Sequence, residues 1–225
     1  MTKILAIESS GPVCSAACFM DGKLVDSLEE KKVNTHAELL AVFCDRLIET
    51  NGKPDAISLS TGPGSYTGLR IGTSLAKGLA FGFGIPVIGL SELDCMAESF
   101  LLDHEEFDFV VPTVDARRME VYQRVYQKGA ESSGDITPLI VDKNAWSEFD
   151  GMKAIIGDGA AKLGDLLAHR KDILIFDSIL PSAKHQLQQA FRKFANREFL
   201  DLAYFEPFYL KEFIALTANK QKHAR

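Results

Sequence analysis

Two short apolar runs open the chain, ILAIES (4–9) and VCSAACFM (13–20), and both read as strands. Asp21-Gly22 follows as a tight-hairpin signal into a third strand, LVDSLEEKK (24–32). Helical spacing takes over from His36 to Thr50, where Leu40, Phe43, Cys44, Leu47 and Ile48 form one stripe and Leu39 and Val42 widen it beyond one face. A strand at 56–60, a glycine-rich loop with its helix, a strand at 86–90 and a helix at about 91–102 complete the first half. The second half repeats that order. It has a hairpin of 109–118 with 120–128, a third strand near Pro138 to Val141, then helix 144–150, strand 154–158, helix 160–170, strand 172–176 and helix 182–196. A βββαβαβα order met twice predicts an α/β fold of two similar units, each a mixed five-stranded sheet covered by helices. The units are expected at 1–107 and 108–204, with 205–225 following them.

The stretch STGPGSYTGLRIGTSLAKGLAFGFG (60–84) carries seven glycines in a loop and helix. Glycines ahead of a helix N-terminus leave N–H groups free for an anion. The phosphate-loop pattern GxxxxGK[ST] is not met, because Gly62 and Gly68 have five residues between them and Leu69-Arg70 stands where Lys-Ser/Thr belongs. The spacing GxGxxG also fails at Gly62-Pro63-Gly64. The other reading is a strand-to-helix turn that needs positive φ, with Ser65 or Thr67 as N-cap. In the helix, Leu69, Thr73, Ala76 and Ala80 share one face, and Ile71, Leu75 and Leu79 share a second, with Gly72, Gly78 and Gly82 between. One face can pack on the chain's own sheet. The rest fits either a partner protein or a helix buried at the centre of one chain. On the partner reading the contact falls on His36, Leu39, Leu40, Phe43, Leu69, Gly72, Thr73, Ala76 and Ala80, and Ala76→Arg is expected to break pairing while sparing the fold.

Composition narrows the classes. The chain has 225 residues, 46% hydrophobic and 25% charged, with net charge −6 and a pI near 5.4. That balance argues against gripping a nucleic-acid backbone unaided, since such binding relies on clustered Lys and Arg. No apolar run is long enough to span a membrane, and MTKILAIESS enters a strand with no signal-peptide layout, so a cytoplasmic protein with reduced thiols is expected. The four cysteines (14, 18, 44, 95) form no CxxC pair, and no two of the five histidines have metal-ligand spacing.

The run STGPGSYTGLRIGTSLAKGLAFG resembles the signature of the bacterial TsaB (YeaZ) family, with Gly62, Pro63, Gly64, Ser65, Thr67, Gly68 and Arg70 in its loop. ILAIESS with CSAAC, NTHAELL, VDARRMEVY (114–122) and EPFYLK (206–211) extend the resemblance over nearly the whole chain. It implies an actin-like fold of two ribonuclease-H-like subdomains, a layout that the repeated element order also suggests, with the C-terminal segment returning to the first of them. It further implies a role in forming threonylcarbamoyladenosine at position 37 of tRNAs that read codons starting with A. In that pathway the catalytic subunit TsaD transfers the threonylcarbamoyl group, with TsaB and the ATPase TsaE as partners. Against TsaD the chain departs at one place. Glu92 and Met96, in SELDCMAES, fall where that subunit carries two metal-binding histidines. The resemblance therefore implies a non-catalytic subunit without cofactor or metal, paired with itself when alone, and touching tRNA only through the complex.

Three rivals share the fold class or its history. A small-molecule kinase would want acidic residues on the first strand of each half, and Glu8 and Asp115 occupy those strands, but no glycine-rich phosphate loop follows either. A metallopeptidase would want a motif such as HExxH, which is missing. A two-metal nuclease would want a carboxylate cluster and a basic groove. Asp115 and Arg117, in DARRMEVY, either line a cleft between the halves with Glu8 or form a charged hairpin turn.

Overall fold

The computed structural model describes residues 1–32, 35–130 and 134–210. Its first sheet is built from β1 (Lys3–Glu8), β2 (Cys14–Met20), β3 (Lys23–Glu30), β4 (Ala56–Ser60) and β5 (Val87–Leu90), in the spatial order β3-β2-β1-β4-β5. β1, β2 and β3 pair antiparallel, whereas β4 and β5 add in parallel through helices α1 (His36–Asn51) and α2 (Tyr66–Phe83). The second sheet uses β6 (Phe109–Asp115), β7 (Glu120–Gln123), β8 (Tyr126–Gln127), β9 (Thr137–Ile140), β10 (Lys153–Ile156) and β11 (Ile173–Phe176). Its order is β11-β10-β6-β7-β9, the same sequence of neighbours as the first, and the repeat predicted from the pattern is therefore real.

The second sheet has six strands, not five, because the run 120–128 is divided into β7 and β8. Pairing of Thr113 with Gln123 and of Val110 with Tyr126 belongs to one register, and that register puts Pro112 opposite Arg124. Proline has no N–H to give the ladder, so pairing lapses there. The helix expected at 144–150 is a chain of turns. Asp142 Oδ1 accepts from Asn144 N at 2.8 Å, Ser147 N donates to Asn144 O, and Trp146 takes φ +57°. That left-handed residue drops the indole into the core, where its Nε1 reaches Gln123 Oε1 at 3.4 Å. Similarly, 160–170 is a 3-10 turn (Ala161–Leu163) running into the single turn α4 (Gly164–Leu167), and 182–196 is a 3-10 turn (Ala183–Gln186) followed by α5 (Leu187–Ala195).

Alternation along β1 decides the layering. Leu5 and Ile7 face α1 and α2 with Leu40, Cys44, Leu47, Ala76 and Ala80, whereas Ile4 and Ala6 face the opposite side. That opposite side is covered by Ala183, Leu187, Ala190, Phe191 and Phe194, which the pattern placed with the second unit. In return, α3 (Glu92–Leu101), which follows the last strand of the first sheet, packs on the second sheet through Leu93, Met96, Ala97 and Phe100 against Val110, Val114, Ala154 and Ile156. Each sheet therefore borrows a helix from beyond the other. Gln186 fixes the return: its Nε2 donates to Ile7 O at 2.9 Å and its Oε1 accepts from Ser58 Oγ at 2.7 Å, all buried. Beyond α5, Leu200 N bonds to Val87 O and Phe208 N to Thr61 O, so residues 199–210 lie along the first sheet and its loop. Residues 211–225, most of the C-terminal segment expected at 205–225, lie outside the described residues.

Gln186→Ala would take from Ser58 Oγ its acceptor, and from Ile7 O one of its donors, where water does not reach. A buried polar group left unsatisfied costs about 1–3 kcal/mol. Urea unfolding is expected to show a loss of about 1–3 kcal/mol, with the secondary structure unchanged in circular dichroism.

Candidate functional site

The glycine-rich loop lies against the turn between β1 and β2. Ser65 N donates to Ser10 O at 2.7 Å, Ser9 Oγ donates to Gly68 O at 2.8 Å, and the Ser65 side chain caps the helix by accepting from Gly68 N at 3.2 Å. A Cβ at Gly68 would stand 1.9 Å from Ser9 O, one at Gly72 2.3 Å from Ser9 Oγ, and one at Gly64 2.6 Å from Ser10 O. Gly62, at φ +113°, is overlaid by Phe208 O, which a Cβ would meet at 2.6 Å. These glycines let two stretches of backbone touch. The chain's own backbone packs onto the loop at these positions and Ser65 caps the helix, which is the strand-to-helix turn.

That packing also sorts the nine residues assigned to a partner contact. Leu40, Leu69, Gly72, Thr73, Ala76 and Ala80 are buried in the chain's own core. Leu39 and Phe43 are half-buried and pack against that core. His36 begins α1, and burial holds its imidazole below the usual value, against the opposing pull of hydrogen bonds to the Val13 and Gly11 backbone. The expectation that Ala76→Arg spares the fold is therefore corrected, because Ala76 faces the sheet and not a partner. The free faces of α1 and α2 carry other side chains: Ala37, Ala41, Val42, Thr67, Arg70, Ser74, Gly78 and Phe81. Val42 is 55% and Phe81 82% exposed. A groove of about 480 Å³ runs between the helices over Ala37, Tyr66, Thr67, Arg70, Ile71 and Ser74. The Arg70 guanidinium lies 4.2 Å from the Tyr66 ring centre, and the Tyr66 ring meets that of Tyr209, tilted at 44°, with centres 4.9 Å apart.

The expected cleft is partly assembled. Glu8, at the end of β1, is buried and accepts from Ser10 N and Ser10 Oγ, both at 2.6 Å. It is brought near Glu92, the first residue of α3, whose Oε2 accepts from Ser60 Oγ at 2.8 Å. Burial raises Glu8 above the usual carboxylate range, and burial together with the neighbouring Glu8 raises Glu92 well above it. Asp115 does not join them. It is exposed, pairs with Lys162, and accepts from Arg117 N at 2.9 Å in a turn where Arg117 and Arg118 both have positive φ. The charged-turn reading of DARRMEVY thus holds for Arg117. The second unit instead offers Asp158, beyond β10, which burial lifts to about 6. Position in AIIGD, just past a strand end, was the only sequence signal for Asp158. Among the described residues no three His, Cys, Asp or Glu side chains are grouped as a metal centre would require, and no helix is long and apolar enough to cross a membrane.

Two sheets of one repeated order, cross-covered by each other's helices, define an α/β protein of the actin-like class, built from two ribonuclease-H-like units. A family model described as "TsaD: tRNA N6-adenosine threonylcarbamoyltransferase" matches residues 30–173. The chain is 29% identical over 221 residues to the tRNA threonylcarbamoyladenosine biosynthesis protein TsaB of Haemophilus influenzae, covering 92% of this chain and 93% of the relative. With TsaB of Escherichia coli the identity is 30% over 226 residues, 95% and 96% of the two chains. The solved structure of YeaZ from Pseudomonas aeruginosa superposes with a TM-score of 0.80 at 28% identity, over 93% of this chain and all of that one. The chain belongs to this family, on its TsaB (YeaZ) branch.

Glycines on the two sides of α2 should respond oppositely. Gly68→Ala is expected to lower the melting temperature sharply or abolish folding, since its Cβ collides with a main-chain oxygen. Gly78 has nothing within 4 Å of a Cβ, so Gly78→Ala should stabilise by about 1 kcal/mol through helix propensity. Thermal melts of the pair check both. Ala76→Arg buries an unpaired charge, which costs about 3–5 kcal/mol, and circular dichroism should show loss of the fold.

Proposed function

We propose that the chain is the non-catalytic subunit required to form N6-threonylcarbamoyladenosine at position 37 of tRNAs reading ANN codons. It acts by binding the catalytic transferase subunit TsaD together with the ATPase TsaE, in the cytoplasm. The observation that carries this reading is the state of α3. Glu92 and Met96 stand where the resemblance to TsaD places metal-binding histidines, and both are buried, Met96 packed between α3 and the second sheet. A thioether in an apolar core is a poor ligand for a hard or borderline metal.

The surface that supports partner binding is the outer face of α1 and α2. Val42 and Phe81 project from it, and the small side chains Ala37, Ala41, Ser74 and Gly78 let another backbone come close. Two copies pair through this face when the catalytic subunit is absent, and the catalytic subunit competes for it. Net charge −6 supports leaving most tRNA contact to the other members.

Ser74→Arg sets a long cation into the exposed groove without touching the core. The variant should fold, fail to co-purify with the catalytic subunit, and leave a strain lacking the wild-type gene depleted of the modified nucleoside by mass spectrometry. A folded Ser74→Arg protein that captures the subunit normally would move the interface elsewhere. Normal nucleoside levels in the deletion strain itself would remove the pathway assignment.

A further inference from the structure

A buried acidic pair is left unused by the partner surface. Glu8 and Glu92 are each 1% exposed, and Ser60 at the end of β4 stands between them. Its hydroxyl donates to Glu92 Oε2 and lies within hydrogen-bonding reach of the Glu8 carboxyl. Glu92 Oε1, shielded from water, has no hydrogen-bond partner among the described residues. Nothing basic answers this pair, because among the described residues no Lys, Arg or His forms an ion pair with either carboxyl.

The other titratable groups facing the pair are acidic or already committed. From the second unit comes Asp158, near enough to act on Glu92, with Asp115 and Lys162 beyond it, paired to each other. From α3 itself come Cys95, Asp94 and Glu98. Asp94 is bonded to Arg124 at 2.8 Å and Glu98 to Arg192 at 2.6 Å. Two ionised carboxylates in this setting would each lose their hydration and also repel, at several kcal/mol per ion. One proton removes a charge and supplies the donor that the site lacks.

We propose that Glu8 and Glu92 hold at least one proton between them at neutral pH, and that this proton pins the start of α3 to the first sheet. Since α3 goes on to cover the second sheet, the carboxyl pair sits at the joint between the two units. Loss of the proton at alkaline pH loosens that joint. The sign follows from the raised values of both groups. The folded chain keeps a proton that the unfolded chain releases above the ordinary glutamate value, about 4.3. The stabilisation is therefore complete below that pH and is lost as pH rises through the raised folded values. Asp158 titrates within the same window, so each variant is compared with the parent protein at every pH.

The test is infrared spectroscopy in D2O at pH 7.5, joined to thermal melts from pH 5 to 9 on the parent, Glu92→Gln and Glu8→Gln. Expected is a carbonyl band of an un-ionised carboxylic acid in the parent that vanishes in Glu92→Gln. The melting temperature of Glu92→Gln should gain on that of the parent as pH rises from 5, by about 3–6 °C at the alkaline end. No acid band in the parent at pH 7.5, or a band that survives both substitutions, overturns the shared proton. A band lost on substitution with parallel melting curves throughout overturns its part in the joint. If either variant fails to fold, parent protein labelled with 13C at the glutamate carboxyls decides the same question, through whether a protonated glutamate resonance persists at pH 7.5.

Discussion

Gln186 is the point at which the two halves of the chain become one molecule. Its amide spans Ile7 O on β1 and Ser58 Oγ on β4, and neither has access to water. Ser58 Oγ would otherwise lack its acceptor inside the protein, and its bond to Gln186 ties the returning segment to the first sheet after the second is complete. The return brings Ala183, Leu187, Ala190 and Phe191 onto the face of β1 that α1 and α2 leave bare. α3 makes the reciprocal crossing onto the second sheet. With the covering helices exchanged, neither sheet has a complete core of its own, and the acidic pair at the start of α3 is caught between them.

The need for close backbone contact also explains the glycine-rich stretch. Its composition resembles a phosphate-binding loop because both structures need backbone unhindered by side chains. What approaches here is Ser9 and Ser10 from the β1–β2 turn and Phe208 from the C-terminal segment. Close approach on one side of α2 contrasts with the other, where a Cβ at Gly78 or Gly82 would meet none of the described residues within 4 Å. An exposed helix of that kind, with Phe81 projecting from it, is stable only because its buried side is tightly held.

Much of the fold was legible in the chain. Asp21-Gly22 marked the first hairpin, short apolar runs marked β1 and β2, and the repeated order of elements announced two sheets of like design. Elements shorter than two helical turns were not legible. The run 144–150 has the apolar spacing of a helix, yet Asp142 and Trp146 turn it into successive bends, and Pro112 breaks a pairing from across the sheet. Within the candidate site, Glu8 could be picked out by its place on the first strand. Asp115 was chosen on the same ground and lies outside the buried cluster, whereas Asp158 reaches it from the next strand of the second sheet.

The amino-acid sequence alone determined the class of fold and the family, and it narrowed the helix N-cap to Ser65 or Thr67. These are properties of local pattern and of residue identity at fixed spacing. Only the tertiary structure decided which face of α2 is free, which sheet α3 and α5 cover, and that Glu8 and Glu92 meet behind Ser60. Helical periodicity says which side chains share a face but not what covers it, and an apolar stripe has the same spacing whether it meets its own sheet or another protein. The charge state of a carboxyl is likewise set by what surrounds it in space, which its neighbours along the chain do not specify.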